Sequence, residues 1–120
     1  MTFLAELNNI FTLLNIPVET GVFSDAAPDY YVVITPLSDM FAVHADDYPR
    51  IEVQEARISL FSKGNYTAMA REIVYALLAA EFTVTERKYH GYEDETGYHN
   101  YSVDLMKAYP FGDKNKERAG

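Results

Sequence analysis

Apolar residues in this chain recur at helical spacing in two stretches, and the strand-like runs around those stretches dictate which layers can form. In residues 2–14, Phe3, Leu7, Ile10, Phe11 and Leu14 follow one another at three- and four-residue steps, with Glu6, Asn9 and Thr12 turned away. That spacing predicts an amphipathic helix. Asn15 is a reasonable stop, and Pro17, lacking an N–H, cannot continue the ladder. The second helical pattern sets Met69, Ile73, Leu77 and Ala80 on one face, flanked by Val74 and Leu78. It follows the turn Ser62-Lys63-Gly64, with Asn65 as N-cap, and is expected to run to about Glu81.

The rest of the chain reads as strands and turns. Residues 17–29 mix a brief extended piece at 18–22 with the turn-formers Gly21, Ser24, Asp25 and Pro28. Tyr30-Tyr31-Val32-Val33-Ile34-Thr35 is apolar on both parities, as in a strand buried on both faces. A turn at residues 36–38, a further strand at 40–44 and a break at Asp46-Asp47-Tyr48-Pro49 follow. In residues 51–62, Ile51 and Val53 share one parity while Ala56, Ile58 and Leu60 share the other. Such a switch implies either a β-bulge or a strand passing between two packing environments. Runs at 82–92 and 98–109 form a hairpin around Glu93-Asp94-Glu95-Thr96-Gly97, whose glycine supplies a positive φ. Phe82 and Val84 face inward on the first, Tyr101, Val103 and Leu105 on the second.

The order is helix, strands, helix, β-hairpin, with little βαβ alternation. It predicts an α+β fold, a mainly antiparallel sheet with both helices packed on one face. Residues 1–111 form one domain, at a length able to bury roughly two thirds of the unfolded surface. Residues 112–120, polar and without period, read as a disordered tail.

Composition narrows the chemistry. There is no cysteine, which removes disulfides, thiolate metal sites and cysteine nucleophiles. No apolar run reaches the ~18–20 residues that span a bilayer, and the first residues lack the basic start of a signal peptide, so a cytosolic product is expected. The formal net charge of −8 opposes sequence-independent docking on phosphates, and residues 19–55 contain a single base, Arg50.

No constellation of reactive groups emerges. His90 and His99 flank the hairpin, while His44 is distant in sequence. If Tyr92 pairs with Tyr98, the two histidines fall on opposite faces; a one-residue shift makes them diagonal, still without an evident third ligand. Glu93-Asp94-Glu95 lacks the alternating ligands of a calcium loop, and Asp46-Asp47 reads as a turn. The serines lack a nucleophile-elbow context, and Gly64 and Gly91 are isolated, so neither an acyl-transfer site nor a phosphate cradle is predicted. A non-enzymatic protein without cofactor or metal is expected. The ten tyrosines stand out: Tyr89, Tyr92, Tyr98 and Tyr101 gather on the last hairpin, through either strand packing or a protein–protein surface.

Several stretches resemble proteins encoded among prophage structural genes of Gram-positive bacteria: Ile16-Pro17-Val18-Glu19-Thr20-Gly21-Val22-Phe23, Tyr31-Val32-Val33-Ile34-Thr35-Pro36-Leu37-Ser38-Asp39, Arg57-Ile58-Ser59-Leu60-Phe61-Ser62-Lys63-Gly64-Asn65-Tyr66 and Gly91-Tyr92-Glu93-Asp94-Glu95-Thr96-Gly97-Tyr98-His99. With the element order, the chain resembles the tail-completion or tail-terminator family of long-tailed bacteriophages, over residues 3–109. The resemblance implies a structural protein that caps the tail tube and joins it to the head, usually as a hexameric ring. Its implied partners are further copies of itself, the tail-tube protein and a head-connector protein, with no membrane and no sequence-specific nucleic acid. Its implied setting is the host cytoplasm during assembly and then the head–tail junction of the virion. For such a ring, Asp39, Phe41, Tyr48, Tyr89, Tyr92, Glu93, Asp94 and Tyr98 are the candidate contact residues. The competing expectation is a monomeric acidic module that inhibits a basic, nucleic-acid-binding host protein.

Overall fold

Helix α1 spans Phe3–Leu14. Thr2 caps it, the Thr2 hydroxyl accepting the Ala5 N–H at 3.2 Å, an N-terminal signal the apolar spacing alone does not reveal. At its end Asn15 is left-handed (φ 59°), with the Asn15 N–H on the Thr12 carbonyl and the Ile16 N–H on the Phe11 carbonyl. This is a Schellman stop. Helix α2 spans Tyr66–Ala79 and starts as expected on Asn65, whose Oδ1 accepts the Ala68 N–H at 3.1 Å. It ends two residues short of the expected boundary, because Glu81 is itself left-handed (φ 68°) in a second Schellman arrangement that sends the Phe82 N–H back to the Leu77 carbonyl. The computed structural model describes residues 2–19 and 28–112.

Five strands, β1 (Val18–Glu19), β2 (Tyr30–Ala45), β3 (Tyr48–Ser62), β4 (Thr83–Tyr92) and β5 (His99–Pro110), form one sheet in the order β1-β2-β3-β5-β4. β1 joins β2 in parallel, and every other pairing is antiparallel. The expected brief strand at 18–22 is described only for Val18–Glu19; its remainder, and the expected tail from residue 113 onward, lie outside the described residues.

Between residues 30 and 62 the structure corrects the sequence reading. Residues 36–38 do not turn the chain: β2 runs unbroken through them, absorbing Leu37 and later Ala42 as register shifts against β3. Pro36 is tolerated because beyond Val33 the outer border of β2 has no neighbour among the described residues, so no ladder bond needs the missing N–H. The break at 46–49 also contracts. Asp46 and Asp47, both left-handed (φ 53° and 60°), make a two-residue turn, while Tyr48 and Pro49 already belong to β3. The parity switch in β3 has the second of its two explanations over residues 51–62. β3 pairs with β5 without a shift from Ile51 to Ser62, so Val53 lies on the face opposite Ala56, Ile58 and Leu60.

Both helices cover that second set. Phe3, Leu7, Ile10 and Phe11 of α1 and Ala70, Ile73 and Leu77 of α2 pack with Val32, Ala56, Ile58, Leu60, Val103 and Leu105 into one core. Leu7, Phe11, Ile73 and Leu77 are fully buried, each worth about 1.5–3 kcal/mol against exposure. The fold is α+β, with two helices on one face of a mainly antiparallel sheet. Polar groups clasp its ends: Tyr109 donates to Glu6 at 2.7 Å, and the Lys107 ammonium lies 3.2 Å from Glu6 while donating to the last-turn carbonyl of Ala80 at 2.9 Å. Burial pushes the Glu6 carboxyl up, yet the Tyr109 and Lys107 hydrogen bonds and the Lys107 charge together hold it below the usual carboxylate range. Burial, then the bond to Glu6, raises the Tyr109 phenol well above its ordinary value.

Candidate functional site

The long β2–β3 hairpin sets the geometry of one end of the molecule. β5 stops at Pro110 opposite Ile51, the Phe111 N–H still reaches the Arg50 carbonyl at 2.8 Å, and beyond that His44 and Ala45 of β2 pair only with Pro49 and Tyr48 of β3. At about 3.3 Å per residue, this two-stranded ribbon projects about 7 Å beyond the three-stranded part. It contributes to a molecule 55 Å long and 23–27 Å across. At its base Asp39, Met40, Phe41, Glu52 and Phe111 line a hollow of about 250 Å³. Phe41 is half exposed and meets Phe111 edge-on at 4.8 Å; Met40 and Val43 are similarly exposed. Tyr48 is held more firmly, its hydroxyl donating to the Gly112 carbonyl at 3.1 Å with the Arg50 guanidinium 5.4 Å from its ring. Residues 39–55 carry Asp39, Asp46, Asp47, Glu52 and Glu55 against Arg50 alone. Thus Asp39, Phe41 and Tyr48 belong to one exposed, apolar and acidic end.

The tyrosine hairpin lies at the other end. β3 and β5 meet there as Ser62 opposite His99, and His99 in turn faces Tyr92. Fourteen residues of β3 separate Ser62 from Tyr48, or about 46 Å of strand. The hairpin pairs Tyr92 with His99 rather than with Tyr98, because His90 is accommodated as an extra residue between Tyr89 and Gly91. His90 then meets the Ser102 hydroxyl at 2.7 Å, whereas His99 Nδ1 meets the Tyr89 hydroxyl at 2.9 Å on the helix-covered face. Tyr66, from the first turn of α2, stacks on Tyr89 at 4.9 Å and lies 4.7 Å from His99, whose ring is 4.8 Å from Tyr92. Burial, and then the proximity of Tyr66, raises the Tyr89 phenol above its ordinary value. Among the described residues no three His, Asp or Glu side chains converge as metal ligands would.

The candidate residues of this hairpin divide. Tyr89 and Tyr92 are 41% and 53% exposed, and Glu93 and Asp94 stand in the open turn. Tyr98 is 8% exposed, which removes it as a contact residue. Its ring is set edge-on against Tyr31 at 5.4 Å and Phe61 at 6.2 Å, on the face opposite the helices, with Lys63 5.1 Å from its centre. Its hydroxyl donates to the Pro28 carbonyl. The reason is register: Asn100 pairs with Phe61, so Tyr98, two residues earlier, falls on the same side of the sheet as Phe61, where Tyr31 and Phe61 cover it.

A neighbouring groove was not visible in the residue order. Tyr66, Thr67, Ala70 and Arg71 of α2 and Arg87, Tyr89 and Tyr101 of the last hairpin enclose about 220 Å³. Arg71 and Arg87 are exposed and lie sixteen positions apart in elements of different type, so no spacing rule links them. Only the packing of α2 across β4 and β5 brings them to one rim. No family model and no curated protein matches the chain. Among the described residues no helix is long and apolar enough to cross a membrane.

Proposed function

We propose that this protein is a phage structural subunit that assembles into a ring, of six copies by resemblance to tail terminators, capping the tail tube and joining it to the head. One observation supports the assembly step. The two ends of an elongated molecule carry unlike exposed surfaces, apolar and acidic at the β2–β3 tip, aromatic and arginine-bearing at the last hairpin. Unlike patches joined head to tail generate rings when the rotation between neighbours divides a full turn. Several large apolar side chains, among them Leu13, Phe41 and Tyr75, stand in solvent, a pattern suited to contact with other proteins.

The test is mass against concentration by light scattering, from micromolar to about millimolar, the range of weak specific contacts, with electron microscopy of purified tail tubes. A concentration-dependent oligomer that decorates tube ends supports the reading. A chain that stays monomeric throughout and ignores tube ends defeats it. The acidic tip favours one alternative, a monomeric module that occupies the basic site of a nucleic-acid-binding host protein. That module would stay monomeric and form a salt-sensitive one-to-one complex with its target.

A further inference from the structure

Cations among the described residues are unevenly engaged. Arg57 is paired with Asp104 at 2.8 Å and Lys107 with Glu6, while Lys63 and Arg50 lie over tyrosine rings. Arg71 and Arg87, on the rim of the tyrosine-lined groove, have no ion-pair partner among the described residues, although Glu72 and Glu86 adjoin them in sequence. At the far end of the molecule, Asp46 and Asp47 form the apex of the projecting ribbon, with Asp39 and Glu52 behind them. None of these four carboxylates is in an ion pair among the described residues.

From this complementarity we infer that the groove between α2 and β4 receives the Asp46-Asp47 turn of a second copy of this chain. The scale suits the turn's apex alone: the groove of about 220 Å³ is a space for small side chains, and the two-residue turn puts only Asp46 and Asp47 at its tip. Two carboxylates would meet two guanidiniums, which recognise carboxylates by paired N–H donors. Apolar surface matches as well. Along the outer side of α2, Arg71 is followed at helical steps by Tyr75 and Leu78, 64% and 52% exposed, while half-exposed Met40, Phe41 and Val43 precede the acidic turn on β2. Groove and turn are separate patches of one copy, so a copy whose turn enters a neighbour's groove still offers its own groove to a third, whereas an antiparallel pair that used both joints about a two-fold axis would stop at a dimer. The contact is head to tail and passes from copy to copy. The inference rests on the ring reading and specifies its joint.

The experiment uses two variants of the full chain. Arg71→Glu/Arg87→Glu destroys the groove's charge and keeps the turn; Asp46→Asn/Asp47→Asn neutralises the turn and keeps the groove, asparagine being at ease in the left-handed conformation. Urea unfolding and circular dichroism establish that both are folded. Wild type is expected to self-associate beyond a dimer, an assembly that stops at two copies overturning the head-to-tail joint, and each variant to associate on the order of tenfold more weakly or not at all. An equimolar mixture of the variants should give one-to-one pairs and nothing larger, since only one of the two possible joints survives. Raising salt from about 0.1 M to about 1 M, which shortens the screening length from about 10 Å to about 3 Å, should dissociate the pairs. Variants that associate like wild type, or a mixture that yields no pairs, overturn the joint and leave the ring reading standing. A wild type that never associates overturns both.

Discussion

Replacing Tyr98 with alanine should unfold much of what Tyr92→Ala leaves untouched, although the two tyrosines bracket one turn and were equally plausible contact residues. Tyr98 is 8% exposed, and truncating a buried aromatic side chain costs about 3–5 kcal/mol through lost transfer energy and the cavity left behind. The edge-on contacts to Tyr31 and Phe61 add about 0.5–1.5 kcal/mol per aromatic pair beyond area burial. Tyr92 is 53% exposed and its substitution should cost less than about 1 kcal/mol. Tyr98→Phe keeps the ring and loses only the bond to the Pro28 carbonyl, a cost of about 0.5–1.5 kcal/mol. Equilibrium urea unfolding followed by circular dichroism separates these cases. With a slope of about 1–3 kcal/mol per molar urea, Tyr98→Ala lowers the midpoint by about 1 M or more. Equal midpoints for the two alanine variants would refute the assignment of Tyr98 to the interior, and the turn would regain it as a contact residue.

Three further outcomes follow from described features. Glu6 has a depressed folded-state pKa, so its stabilisation is complete above the ordinary glutamate value of about 4.3 and is lost as pH falls through the folded value. Urea midpoints measured from neutral to acidic pH should therefore fall less steeply for Glu6→Gln than for wild type, and parallel curves would contradict the clasp. Glu81→Gly should stabilise by about 0.5–1 kcal/mol in thermal unfolding, because glycine relieves the left-handed strain at the end of α2; a loss of stability would contradict that conformation. Arg57→Ala should lower the thermal midpoint less in about 1 M salt than in about 0.1 M, since the Arg57 side chain is 44% exposed and its pair with Asp104 is open to screening; a loss independent of salt would contradict that.

Local periodicity carried the helices, because Leu7, Phe11, Ile73 and Leu77 obey a 3.6-residue repeat that few alternatives can satisfy. It also carried Asn15, Asn65 and Gly97, whose conformations follow from their own side chains or lack of one. It failed at Pro36, where a residue that ordinarily punctuates the chain sits in mid-strand; its neighbour across the sheet border, or the want of one, is a long-range fact. It failed again at Tyr98, since aromatic residues beside a turn look alike whether they fold inward or outward. The groove rim could not be read at all, because Arg71 and Arg87 owe their meeting to the docking of α2 on β4 and β5.

The clasp between Glu6 and Tyr109 joins residues 103 positions apart. The first helix is made early and can pack on α2 once that helix follows, but the β5 side chains Tyr109 and Lys107 that hold Glu6 come later still, so the clasp on its first turn must wait for about a hundred residues. At about 5–20 residues per second that delay is several seconds to tens of seconds. Over this interval a nascent copy leaves Phe3 without the Tyr109 ring that later packs edge-on against it, and closure of the clasp is timed by β5.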